Sequence, residues 1–252
     1  EAIKNPTDFN PINLGDSINT ALPEYFPSIT ADDSTLMFTR RVNDISAPGE
    51  KQEDIFVTKR NSNNNWSKSY LVSNAINSEY NEGAPTFSSD GQYIIFVGCE
   101  TGAKGDYQYG GDRIGYGSCD LFYSQNNGTN WTKPVNLGPK INSKHWETQP
   151  SFASDGKTLY FIRGMNYDRQ RRNPNNQDIY VTEILENGQW STPRKLSSKI
   201  NTPYREESVQ IHPDGKTLYF ASNGHPGMGG LDIYMSRKLE DDSWSKPINL
   251  GF

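Results

Sequence analysis

The chain has 252 residues, 33% of them hydrophobic and 12% aromatic, with a net charge of −5 and a mean hydropathy of −0.81. The acidic balance gives no nucleic-acid footprint, which needs a basic face, and no stretch reaches the roughly 18 apolar residues of a membrane helix. Low hydrophobicity alone suggests disorder, but aromatic residues recur throughout, so many small apolar clusters are expected in place of one large core.

In chain order, Glu1 is not an initiator Met, and the chain reads as a processed or excised segment. "PINLG" at 11–15 comes next and returns at 247–251. Between these copies four units align, at about 24–72, 82–138, 147–197 and 206–251. Each opens on a glutamate: Glu24, Glu82, Glu147 and Glu206, spaced 58, 65 and 59 residues apart. A short β-type run follows, such as "EGAPTFSSDG" or "ETQPSFASDG", and then a second, such as "QYIIFVG" or "KTLYFIR". Next comes Asp, an aliphatic residue and an aromatic: "EDIFVTK" at 53–59, "CDLFYSQ" at 119–125, "QDIYVTE" at 177–183 and "GGLDIYMS" at 229–236. A Trp with a short tail ends each unit, at Trp66, Trp131, Trp190 and Trp244.

Runs of four to eight β-branched and aromatic residues bounded by turn residues predict strands. Asp90-Gly91, Asp155-Gly156 and Asp214-Gly215 suit tight two-residue turns between first and second strands, with Asp32-Asp33 in that place in the first unit. Asn127-Gly128 and Asn187-Gly188 join third and fourth strands. No helical period of comparable length is present. Four short strands per unit, repeated, predict an all-β fold: a single β-propeller of four-stranded antiparallel blades over residues 1–252. Both "PINLG" copies read as fourth strands, so one is surplus. The favoured expectation is a segment of a larger, five-bladed ring with 11–15 as a ring-closing strand; the alternatives are missing residues or a four-bladed ring that tolerates the extra strand.

Propeller geometry places the second-to-third loops on one face. They are long and individual, at 41–53, 100–118, 164–177 and 223–231, and long insertions confined to one face mark a binding face. Candidate interaction residues there are Arg41, Tyr107, Tyr109, Arg113, Tyr116, Tyr167, Arg169, Arg171, Arg172, His225 and Met228. Tyr and Arg dominate interface hot spots; a solvated charge cluster is the plainer reading. Glu24, Glu82, Glu147 and Glu206 are weak candidates for a cation at a channel mouth, and a once-per-blade residue is more often a structural device. Asp54, Asp120, Asp178 and Asp232 are expected to hold loop amides.

The set "NLG…IN…E…P.FS.DG.TLYF…GG.DIY.S…W..P.NLG" resembles the TolB-like, WD-repeat-like propellers of Gram-negative envelopes. The unit-by-unit order, from "DDSTLMFTRR" to "IHPDGKTLYFASNGHPGMGGLDIYMSRK", is similar to the PorE-like group of the type IX secretion system. That group sets a tetratricopeptide region before the propeller and an OmpA-like peptidoglycan-binding domain after it. The resemblance covers about 13–251. It implies a non-catalytic docking scaffold, periplasmic and outer-membrane associated, with envelope or secretion-system proteins as partners. Peptidoglycan is reached only through a domain this chain does not carry, and neither direct membrane insertion nor a cofactor is expected. The family pattern also carries the pair Cys99 and Cys119, at the two feet of one loop. It implies a disulfide, with two free thiols as the alternative, and an oxidising compartment.

Catalysis is not expected. There is no G-x-S-x-G elbow, phosphate-cradling glycine loop or close Cys-His pair. "SQNNGTNW" at 124–131 approximates the Asp-box turn of sialidases, which is a fold device. The histidines, His145, His212 and His225, fall in three different units. The alternative function is a glycan-binding module facing peptidoglycan or another polysaccharide.

Overall fold

A computed structural model describes residues 10–47, 50–100, 109–110, 112–165 and 176–251. Among them there are sixteen strands and no α-helix. The chain divides into two compact units, Asn13–Pro150 and one built on Ser151–Phe252.

The first unit holds two repeats. One contains β1 (Glu24–Ile29), β2 (Thr35–Asn43), β3 (Lys51–Lys59) and β4 (Tyr70–Leu71), paired antiparallel in that order. The other contains β5 (Asn81–Phe87), β6 (Tyr93–Cys99), β7 (Cys119–Gln125) and β8 (Val135–Asn136), paired the same way. The division between units falls inside β9 (Trp146–Phe152), the first strand of the third repeat. The second unit continues with β10 (Thr158–Met165), β11 (Asn176–Glu183) and β12 (Arg194–Lys195). It ends with β13 (Glu206–Ile211), β14 (Thr217–Ser222), β15 (Asp232–Arg237) and β16 (Ile248–Asn249). The four antiparallel repeats of the sequence are therefore the four repeats of the fold.

The Asp-aliphatic-aromatic motif begins or lies within each third strand, and its aromatic has a fixed duty. Phe56, Phe122, Tyr180 and Tyr234 each stand directly opposite a second-strand phenylalanine: Phe38, Phe96, Phe161 and Phe220. All four ring pairs are stacked, with centroids 6.1, 6.1, 5.9 and 5.8 Å apart. Cross-strand aromatic pairs stabilise a sheet by up to about 1 kcal/mol each. A cationic or imidazole group lies against each pair: Arg40 4.3 Å from the Phe56 ring, Arg113 5.8 Å from Phe122, Arg163 4.7 Å from Tyr180 and His225 5.2 Å from Tyr234. The repeat specifies the aromatic pair, while the cap comes from a different place in different repeats.

Three expectations change. The first-to-second turns are four-residue loops, with Thr30 N–H donating to Thr35 O and Ser88 N–H to Tyr93 O. Only the glycine of each Asp-Gly pair takes positive φ (Gly91, Gly156, Gly215), and Asp33 takes it in the first repeat; the Asp accepts, as when Asp90 Oδ1 receives Gln92 N–H. The fourth strands shrink to two residues, and Pro134, Pro193 and Pro247, which lack an N–H, lie just before three of them. Finally, 11–15 is not a strand. The outer edges of β3 and β15 are already paired by β4 and β16. "NLG" itself is a turn: Gly15, Gly138 and Gly251 each donate N–H to the Asn two residues earlier, at positive φ.

Candidate functional site

The repeated glutamates are built into their own repeats. In each, the Ser or Thr four residues earlier donates both its backbone N–H and its hydroxyl to the carboxylate: Thr20 to Glu24, Ser78 to Glu82, Ser143 to Glu147 and Thr202 to Glu206. Arg40 pairs with Glu24 at 2.9 Å, Arg113 with Glu82 at 2.7 Å, and Ser222 Oγ donates to Glu206. No group of three acidic, histidine or cysteine side chains able to hold a metal occurs among the described residues. Burial pushes the Glu82 carboxyl up to about 7, against the pull of Arg113 and Ser78.

The asparagine before three of these four Ser or Thr residues does equally specific work. Asn77, Asn142 and Asn201 each accept the N–H and donate to the C=O of one third-strand residue in the preceding repeat: Ile55, Leu121 and Ile179. Each amide thereby imitates a strand partner. The "IN" of the consensus was the signal for this joint, but its meaning needed the third strand to be in place.

Two of the repeated aspartates hold the amides of their long loops. Asp120 accepts the N–H of Tyr116 and Gly117 and the side-chain amide of Asn136; Asp232 accepts the N–H of Met228. Asp54 receives Gln52 Nε2, and Asp178 pairs with Lys195 at 2.7 Å. Burial raises the Asp54 and Asp120 carboxyls to about 6, and raises Asp178 in the same direction.

Of the candidate contact residues, Tyr109 and Arg113 are corrected to fastenings. Both are buried. Tyr109 Oη donates to Gly117 O at 2.6 Å, and Arg113 donates to Gly110 O and Glu82. Gly115 makes room, since a Cβ there would lie 2.0 Å from the Tyr109 ring. Cys99 and Cys119 stand directly opposite in β6 and β7 and are joined by a disulfide. Arg41 is exposed but lies in β2 opposite Glu53, which shortens the first loop to 44–50. Tyr116 and Met228 are exposed. His225 is half-buried, its Nε2 donating to Ile200 O. Tyr107, Tyr167, Arg169, Arg171 and Arg172 lie outside the described residues.

The exposed side chains at these loops include aliphatic ones that a search for Tyr and Arg missed. Ile45 is 92% exposed and Ile114 74%, and Leu231 is exposed beside Met228. Their signal was an aliphatic residue outside any strand pattern, in "NDISAPG" and "DRIGYG". Two clefts open in the first unit. One, of about 420 Å³, is walled by Asp44, Gln52, Asp54, Glu79, Arg113 and Lys133 and has no aromatic ring. The other, of about 160 Å³, includes Tyr70, Trp131 and Met37.

No family model matches the chain, and no curated protein matches it. Solved structures do. TolB from Acinetobacter baumannii is 13% identical over 88% of this chain and 42% of its own, with a TM-score of 0.51. The tricorn protease is 7% identical over 88% of this chain and 22% of its own, with a TM-score of 0.50. The chain spans less than half the length of either. Identities this low bear on the fold alone, and the fold is a TolB-like β-propeller fold.

Proposed function

We propose that this propeller is a non-catalytic docking scaffold of the cell envelope, and that its partners are proteins engaged by the second-to-third loops. One observation carries the reading. The described end of the second loop, 112–118, presents Ile114 and Tyr116 to solvent while Arg113, the backbone amides of Tyr116 and Gly117 held by Asp120, and the disulfide at Cys119 fasten it down. A pre-ordered segment loses little entropy on binding, and exposed aliphatic tips suit a protein surface. The repeated carboxylates are taken up by hydrogen bonds within their repeats, in keeping with a structural role. The disulfide favours an oxidising compartment such as the periplasm. The sequence resemblance favours a type IX secretion-like setting at the outer membrane, with any peptidoglycan contact made by a separate domain.

The test is retention of envelope proteins by the immobilised chain, compared with Ile114→Asp and Ile45→Asp. Specific proteins retained by the parent and lost from the variants are expected. Retention of muropeptides or polysaccharide alone would end the docking reading.

The glycan-binding alternative is favoured by the smaller cleft, because Tyr70 is half exposed and Trp131 stands in the same wall. It expects muropeptides to change tryptophan fluorescence, with Tyr70→Ala abolishing the change.

A further inference from the structure

The fourth-strand residue opposite each motif aromatic decides what the motif aspartate meets. Aspartate and aromatic are two residues apart in the third strand, so both face one side of the sheet. The residue opposite the aromatic is then the aspartate's diagonal neighbour, within reach of a long side chain. In the second repeat it is Asn136, opposite Phe122, and its Nδ2 donates to Asp120 at 2.8 Å. In the third it is Lys195, opposite Tyr180, and its Nζ lies 2.7 Å from Asp178. In the fourth it is Asn249, opposite Tyr234, and Asp232 is only half-buried.

The first repeat departs from this pattern. The residue opposite Phe56 is Leu71, whose side chain has nothing to donate. Asp54 is nonetheless only 7% exposed, and among the described residues Gln52 Nε2 is the one donor to its carboxylate. Burial, opposed by Gln52 and aided by the charge of Asp44, raises that carboxyl to about 6. Where a donor would stand, the cleft of about 420 Å³ opens, with Asp54, Leu71 and Ala75 in its wall. Asp44 and Glu79 add two more carboxylates. None of the three has an ion pair among the described residues, whereas the cations of the same wall do: Arg113 with Glu82 at 2.7 Å and Lys133 with Asp112 at 3.7 Å. The three carboxylates form no group able to hold a metal ion.

We propose that this cleft binds an alkylammonium group, carried by a free diamine or by a lysine of a docked protein, with its nitrogen on Asp54 where the third repeat places Lys195 Nζ. The third repeat shows that an ammonium fits this position of the fold. The alkyl chain lies along Leu71 and Ala75, and Asp44 and Glu79 draw the cation in and serve a second ammonium. A buried carboxylate without a cation is costly, and pairing it relieves that cost. An anion finds no such opening, because Arg113 and Lys133 already have carboxylates of their own.

Calorimetric titration of the chain with cadaverine is the experiment. A dissociation constant on the order of 0.1–1 mM is expected, and glutarate, of the same chain length and opposite charge, should not bind. Asp54→Asn should weaken cadaverine about tenfold or more. Leu71→Lys supplies the missing ammonium from the fourth strand itself. It should abolish cadaverine binding while raising the melting temperature, so its loss of binding is not a loss of fold. Nα-acetyl-lysine methylamide distinguishes the sources: tighter binding than cadaverine points to a lysine of a docked protein, and equal or weaker binding to a free diamine. Cadaverine binds or fails to bind whether or not the long loops hold proteins, so this site and the docking reading fail separately. The proposal is overturned if neither amine binds, if glutarate binds as well as cadaverine, or if either substitution leaves the affinity for cadaverine unchanged.

Discussion

The second and fourth repeats carry the same motif and fasten their long loops in different ways. In the second, Asp120 holds two loop amides, Arg113 reaches down to Glu82, Tyr109 is buried, and a disulfide closes the base. In the fourth, Asp232 holds one amide, and Tyr234 Oη lies 3.2 Å from His225 O and 3.0 Å from Pro226 O. Met228 and Leu231 stay exposed, with no covalent link. The shared aspartate holds the end of each of these two loops. The further fastening comes from residues the repeats do not share, and so does the surface the loop offers.

Breaking the strongest fastening gives the largest expected effect. Glu82→Ala leaves Arg113 buried without its partner and should cost about 3–5 kcal/mol of stability, read by chemical denaturation. Glu82→Gln, which keeps an acceptor for Ser78, should cost less. Removing the disulfide by Cys99→Ser with Cys119→Ser should cost about 3 kcal/mol, as expected for a loop of this size. The two cysteines are 20 residues apart, and the fourth loop has no counterpart to lose.

Smaller effects sharpen the same contrast. Asp232→Ala forfeits one loop amide and should cost about 1 kcal/mol. Asp120→Ala forfeits two amides and the Asn136 contact, so it should cost more and loosen amide exchange at 114–118. A separate effect is one of pH. Glu82 at about 7 and Asp54 and Asp120 at about 6 all lie above their ordinary values. Folding therefore takes up protons between about pH 4 and pH 7, and stability falls as pH rises through that window. Denaturation midpoints should be higher at pH 5.5 than at pH 7.5, and Glu82→Gln should shrink the difference.

Much of this was legible in the sequence, because strands announce themselves by local residue choice and the repeat makes each announcement four times. Glu82, Asp120 and the third-strand aromatics could be placed in their repeats from that pattern alone, while the stacking of those aromatics on second-strand phenylalanines needed the strand register. Tyr109 and Arg113 could not be separated from true surface residues. Both are long, polar-tipped side chains in a loop, and what buries them is a glutamate 31 residues from Arg113 and a glycine that yields space. The left-handed residues of the first strands, Phe26, Ala84, Gln149 and Ser208, left no trace either. They share one position two residues after each glutamate, yet none is a glycine. At Ala84 the distorted backbone is tied across repeats, its N–H donating to Thr39 Oγ1 at 2.8 Å. The first "PINLG" misled because the same five residues at 247–251 form β16 only by pairing with β15, and local sequence does not show whether such an edge is there.

The central claim is that contact is made by the unshared loops and not by the repeated turns. Photo-crosslinking in intact envelopes tests it most directly, with a photoreactive residue placed in turn at Ile114, at Met228 and at the exposed turn positions Lys157 and Lys216. The account predicts discrete protein adducts from Ile114 and Met228 and none from Lys157 or Lys216. Equal adducts from the turn positions, or none from the loops, would contradict it.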